Sequence, residues 1–153
     1  MSTPEERLEA MGLSVPEVAK PVAAYVPAVR SGNHVFTSGQ LPMVDGTLAA
    51  TGKVGAEVDP ESAKSLARTA ALNAIAAVRA EVGDLSAVRR IVKVVGYVAS
   101  TPGFTGQPGV VNGASELLGE VFGDAGRHAR SAVGVAVLPL DAPVEIELIV
   151  EVG

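Results

Sequence analysis

Two periods of hydrophobicity run along this chain and separate its strands from its helices. Near the C-terminus the period is two. Val144, Ile146, Leu148, Val150 and Val152 fall on one face and Glu145, Glu147 and Glu151 on the other, interrupted only by Ile149. Successive strand side chains point to opposite faces, so residues 143–152 predict a strand with one aliphatic and one acidic face. Residues 131–138 are almost continuous Ala, Val and Gly, which predicts a buried strand neighbouring it. Residues 89–99, RRIVKVVGYVA, predict a central strand with polar ends. Further upstream, residues 25–42 read YVPAVRSGNHVFTSGQLP, two β-rich runs around the turn signal Ser31-Gly32-Asn33. The second run, residues 35–38, is a strand on its β-propensity. Asp45-Gly46 marks another turn, after which residues 47–54 are expected to pair back as an edge strand.

Elsewhere the period is about 3.6. Asp59-Pro60-Glu61 combines an N-cap acceptor, a proline suited to the first helical position and an acid favoured by the helix dipole. Ala67, Ala71, Ile75, Val78 and Val82 then recur on one face until Gly83 ends the helix. The surrounding alanines make that face smooth enough to lie flat on a sheet. Residues 101–109 hold two prolines and three glycines and predict a loop. Ala114, Leu117, Leu118, Val121 and Phe122 predict a second amphipathic helix, capped by Gly123. Residues 1–20 form a polar-to-mixed N-terminal extension with a helical turn around residues 4–12. The rest, residues 21–153, reads as a single domain in the order β-β-α-β-α-β-β. That order predicts an α+β fold with two helices packed on one face of a mostly antiparallel sheet.

Composition narrows the classes. At 153 residues the chain suits one domain that buries roughly 68–70% of its unfolded surface. Its 24 Ala and 25 Val against five aromatics make a core of small side chains whose elements must approach closely. Charged residues are 19%, below the ~25% usual in globular domains, which points to apolar surface covered by a partner chain. With no cysteine, disulfides, thiolate zinc sites and cysteine nucleophiles are excluded. The acidic start, MSTPEERLEAM, is neither a secretory signal nor a transit peptide, and every apolar run breaks before about 18 residues, so the expected compartment is the cytoplasm and no membrane partner is expected. A net charge of −5 works against non-specific nucleic-acid binding.

Chemistry is sparse. Neither a phosphate-cradling G-x-x-x-x-G-K-S/T nor a dinucleotide G-x-G-x-x-G occurs. His34 and His128 are the only histidines and neither has metal-ligand spacing, so no metal site is expected. Ser38 stands in TSGQ, not on a G-x-S-x-G elbow. Glu145 and Glu147 share the acidic face of the last strand, where they are either plain solvent-facing groups or a pair able to handle protons. Arg130, just before SAVGVAVL, either caps a sheet end or presents its fork to a carboxylate in a cleft.

The stretch YVPAVRSGNHVFTSGQLP resembles the N-terminal signature of the RidA (YjgF) family of enamine/imine deaminases. RSAVGVAVLPLDAPVEIE, residues 130–147, resembles that family's C-terminal signature, and VNGASELL around Asn112 is similar to the helix carrying its site asparagine. The resemblance covers residues 20–153 and implies a chorismate-mutase-like fold assembled as a homotrimer with a cleft at each subunit interface. It implies that Arg130 grips a substrate carboxylate, that Glu145 handles the catalytic water, and that Tyr25, Ser38 and Asn112 line the cleft. The backbone N–H groups of Gly39 and Ala132 would flank the ligand. The basic approach GRHAR, the Gly/Pro-rich loop and the N-terminal extension resemble a divergent branch of the family.

Two functions follow as expectations. The first is hydrolytic deamination of a small 2-imino or 2-amino-enoic acid, of the 2-aminoacrylate/2-iminopropanoate type, to the 2-keto acid and ammonia. No cofactor is needed, because an imine is already electrophilic. The alternative is a non-catalytic trimer that binds a small carboxylate-bearing metabolite in the same cleft. Ribonuclease activity, also attached to the family, is disfavoured by the acidic charge and the lack of an aromatic-basic stripe.

Overall fold

The computed structural model describes residues 2–21 and 24–153. A hairpin of β1 (Ala28–Ser31) and β2 (His34–Thr37) turns at Gly32, whose φ of +59° suits a residue without Cβ. After the helix α2 (Pro60–Val82) come β5 (Val88–Ala99), α3 (Gln107–Phe122), β6 (Ala129–Val135) and β7 (Val144–Val152). The five long strands form one sheet in the order β1-β2-β7-β5-β6. All neighbours are antiparallel except β5 and β6, which α3 connects as a parallel crossover. α2 and α3 cover one face, as expected, and the other face is open. Among the described residues no helix is long and apolar enough to cross a membrane.

The helices follow their sequence signals. Asp59 accepts from Ser62 N at 2.9 Å, and Gly83 ends α2 at φ +86°. Ala63, Ala67, Ala70, Ala71, Ala74, Ile75 and Val78 of α2 are buried, as are Ala114, Leu117, Leu118, Val121 and Phe122 of α3. Small residues set the spacing. A Cβ on Gly113 would lie 2.0 Å from the Lys64 carbonyl oxygen, and one on Gly96 would lie 2.5 Å from Val111 Cγ2. The N-terminal extension carries α1 (Pro4–Ala10), closed by a Thr3/Glu6 capping box. It docks through Leu8, 1% exposed, and through Arg7 Nη1, which donates to Val121 O at 3.2 Å.

Three expectations need correction. Residues 47–54 add no edge strand to the sheet: β3 (Met43–Val44) and β4 (Thr47–Leu48) make a separate two-stranded ribbon, and Val54 only bridges Val58 and Ser100. Left-handed Gly52 and Gly55, at φ +117° and +99°, interrupt the extended backbone there. α3 begins at Gln107, inside the expected loop, because Pro108 occupies the first turn where its missing N–H costs nothing. β6 is neither buried nor beside β7. It is the sheet edge, it spans Ala129–Val135, and its Val133 is 43% exposed. Its continuous small apolar residues serve two different surfaces, the α3 side and the open face.

Candidate functional site

Where β2 meets β7 the backbone ladder pauses. Thr37 Oγ1 accepts from Leu148 N at 2.9 Å, and pairing resumes between Gln40 and Ile146 at 2.8 and 2.9 Å. Between these points Gly39 seats the side chain of Glu145: a Cβ on Gly39 would lie 1.8 Å from Glu145 Oε2. Only glycine fits. Ser38 beside it donates Oγ–H to Val26 O at 2.6 Å and N–H to Pro27 O at 2.8 Å. Those bonds hold the segment carrying exposed Tyr25 next to the glycine. Ser38, Gly39 and Glu145 thus form one cluster, to which the segment following Tyr25 is tied through Ser38.

Its electrostatics raise the carboxylate's affinity for a proton. Burial, and then the charge of Glu147, push the Glu145 pKa upward. Among the described residues none donates a hydrogen bond to the Glu145 carboxylate or pairs with it. Glu147, by contrast, receives the Tyr97 hydroxyl. That bond, reinforced by burial, pushes the Tyr97 phenol up to about 12 and keeps it a donor.

A second cluster lies at the β6 edge. Arg130 Nη1 donates to Asn112 Oδ1 at 2.7 Å and Ser115 Oγ at 3.2 Å, and Nη2 to Pro108 O at 3.3 Å. All three acceptors are uncharged. The guanidinium therefore keeps its charge uncompensated, and it keeps two donors, on Nε and Nη2, without partners among the described residues. His128 Nδ1 is 2.6 Å from Gly126 O, and a carbonyl only accepts, so Nδ1 carries the proton. Nε2 lies 2.8 Å from Ser115 Oγ. Val135 O accepts from Ser100 N at 3.2 Å and so faces β5; three residues earlier, the alternation turns the N–H of Ala132 to the open edge.

The two clusters lie on opposite faces of the sheet. Arg130 pairs in register with buried Val94, on the helix side, whereas Glu145 pairs with Tyr97, three positions on and therefore on the open side. One chain does not bring Arg130 and Asn112 together with Glu145. Sequence reasoning did not single out Tyr97 or Ser115; for His128 it left a solvent or hydrogen-bonding role open, and the structure shows the hydrogen-bonded one. The cross-strand register that joins Tyr97 to Glu147 has no local signature, although the basic GRHAR run did mark the His128 segment as unusual.

A family model described as "YjgF/chorismate_mutase-like, putative endoribonuclease" matches residues 5–152. The chain is 44% identical to Protein TCP17 of Trypanosoma cruzi, over 95% of this chain and 92% of that one. It is 34% identical to the 2-iminobutanoate/2-iminopropanoate deaminase of Escherichia coli K12, over 84% and 87%. Among solved structures, Agrobacterium tumefaciens Atu1372, a protein of unknown function, is 49% identical with a TM-score of 0.92, over 98% and 92%. With matches of this extent, carried on a chorismate-mutase-like α+β fold, the chain belongs to the YjgF/RidA family.

Proposed function

We propose that this protein is a cytoplasmic homotrimer that hydrolyses a small 2-imino acid to the 2-keto acid and ammonia, in clefts completed between copies. The observation that carries this reading is Glu145. It is a half-buried carboxyl with a raised pKa, seated on a glycine and free of partners among the described residues, which is the condition of a base and not of a structural acid. A deaminase among the 34%-identical relatives supports the reaction class.

In this reading Arg130 of one copy offers its two free donors to the substrate carboxylate, with Asn112 and Ser115 fixing the guanidinium plane. The Ala132 N–H at the same edge assists. Glu145 of the neighbouring copy takes a proton from water as the oxygen adds to the imine carbon. The proton passes to nitrogen to give the carbinolamine; its hydroxyl proton is then relayed to the same nitrogen, the C–N bond breaks, and ammonia leaves as the C=O forms. Arg130 is oriented before substrate arrives by Asn112, Ser115 and Pro108, so orientation and charge placement do the chemistry.

The carboxylate-holding half stands complete without Glu145, so a non-catalytic carboxylate-binding trimer is the second reading. One experiment separates them. The pure protein is mixed with iminopyruvate generated by an amino-acid oxidase, and ammonia and keto acid are followed. Release faster than in buffer, lost in Glu145→Gln, supports hydrolysis. Carboxylate binding with no acceleration supports the binder.

A further inference from the structure

The GRHAR segment holds an imidazole that the deamination reading leaves unused. Gly126, the first residue of that run, is buried against α3. A Cβ there would lie 2.3 Å from Leu118 O, and that obstacle is backbone. Close approach fixes the Gly126 carbonyl oxygen, which lies 2.6 Å from His128 Nδ1. On the other side of the ring stand Asn112 and Ser115, three positions apart on α3 and therefore neighbours on one helix face. His128 Nε2 is 2.8 Å from Ser115 Oγ, and Arg130 Nη1 donates to that same oxygen at 3.2 Å and to Asn112 Oδ1 at 2.7 Å.

Four hydrogen bonds thus run in series from Gly126 through His128, Ser115 and Arg130 to Asn112. A serine side chain has three staggered positions, and only a bonded one is held. The Nε2–Oγ bond keeps Ser115 in the rotamer that puts Oγ within reach of Nη1. Nη1 is then fully engaged, and Nη2 donates to Pro108 O at 3.3 Å. The guanidinium is planar, so fixing one of its nitrogens on two acceptors and a second on a third fixes the whole group. Its remaining donors, on Nε and Nη2, are adjacent and have no partner among the described residues.

We infer that His128 is a positioning residue for carboxylate binding: through Ser115 it holds the Arg130 fork in one plane. This role rests on the reading of Arg130 as the carboxylate clamp. It is the same whether the bound acid is then hydrolysed or only held. A fork makes both of its parallel hydrogen bonds only when its plane matches that of the carboxylate, so a fork oriented beforehand loses less freedom on binding.

The test is calorimetric binding of pyruvate to wild type, His128→Phe, Ser115→Ala, Ser115→Thr and Arg130→Lys, with His128→Phe also placed in the Ser115→Ala and Arg130→Lys backgrounds. His128→Phe keeps a ring but neither nitrogen, and it should weaken pyruvate binding about three- to tenfold. Ser115→Ala should lose at least as much. Ser115→Thr retains the hydroxyl and should bind within about twofold of wild type. In either background His128→Phe should change affinity by less than about twofold, because residues acting in series do not add. Wild-type affinity in His128→Phe, or a loss as large in either background as in wild type, overturns the positioning role, whether or not the ring also contributes to melting temperature. If in that case Arg130→Lys still binds weakly, the clamp stands. If wild type binds no pyruvate, or Arg130→Lys binds it like wild type, clamp and positioning role fall together.

Discussion

At the scale of single residues the site depends on two charges prepared in opposite ways. Arg130 is held by three neutral acceptors that leave its charge uncompensated; Glu145 is half-buried beside Glu147, and both effects raise its affinity for a proton. Glu145→Gln should therefore retain keto-acid affinity while turnover falls by about 10²-fold or more, measured as ammonia release. The same variant has a pH signature. A carboxyl with a raised folded-state pKa contributes stability that is fully present below its unfolded value and is lost as pH rises through the folded one. Wild type should thus lose melting temperature relative to Glu145→Gln as pH climbs upward from the ordinary carboxylate range, and parallel melting curves across pH would contradict the shift. Arg130→Lys keeps a cation but not the fork. It should weaken carboxylate binding by about 1.5–3 kcal/mol with little change in melting temperature. A mutant that melts early yet binds normally would make Arg130 a brace for the sheet end. Arg130, Glu145 and Gly39 were legible in the sequence because they sit in contiguous signatures. Tyr97 and Ser115 were not, because their partners are 50 and 13 residues away through register and loop geometry that no local pattern encodes.

At the scale of elements, packing depends on close approach. α2 and α3 touch where Gly113 meets the Lys64 carbonyl, and the obstacle there is backbone, which cannot rotate aside. Gly113→Ala should cost about 3 kcal/mol or more in a urea melt. Gly119→Ala, where an added Cβ meets nothing within 4 Å, should be neutral or slightly stabilising because alanine is the better helix former. Equal effects at the two positions would contradict the close helix crossing. Helices were legible here because one face carries a long periodic signal and both ends carry caps. Strand placement was less so. Residues 131–138 look buried because apolar residues occupy both alternating sets, yet β6 is an edge whose two faces meet different surroundings. Ile149 breaks the acidic face of β7 for a reason visible only in the register: it pairs with Phe36 on β2.

At the scale of the whole molecule, the open sheet face explains the low charge. Val29 and Phe36 lie opposite each other on it at 52% and 44% exposed, and Val133 at the β6 edge adds to it. Such a surface calls for a partner. The Arg130 cluster at one edge and the Glu145 cluster on the open face are different patches. In the proposed trimer, joining them between copies makes a head-to-tail interface that closes as a ring. Sedimentation at micromolar concentration should give a trimer; a monomer would remove the shared cleft. The most direct measurement uses the two disabled chains together. Arg130→Lys and Glu145→Gln homomers should each be nearly inactive on iminopyruvate, whereas assemblies from cells expressing both should recover about a quarter of wild-type activity, since random mixing leaves that share of clefts with both native groups. Mixed assemblies as inactive as their parents would contradict a cleft shared between copies.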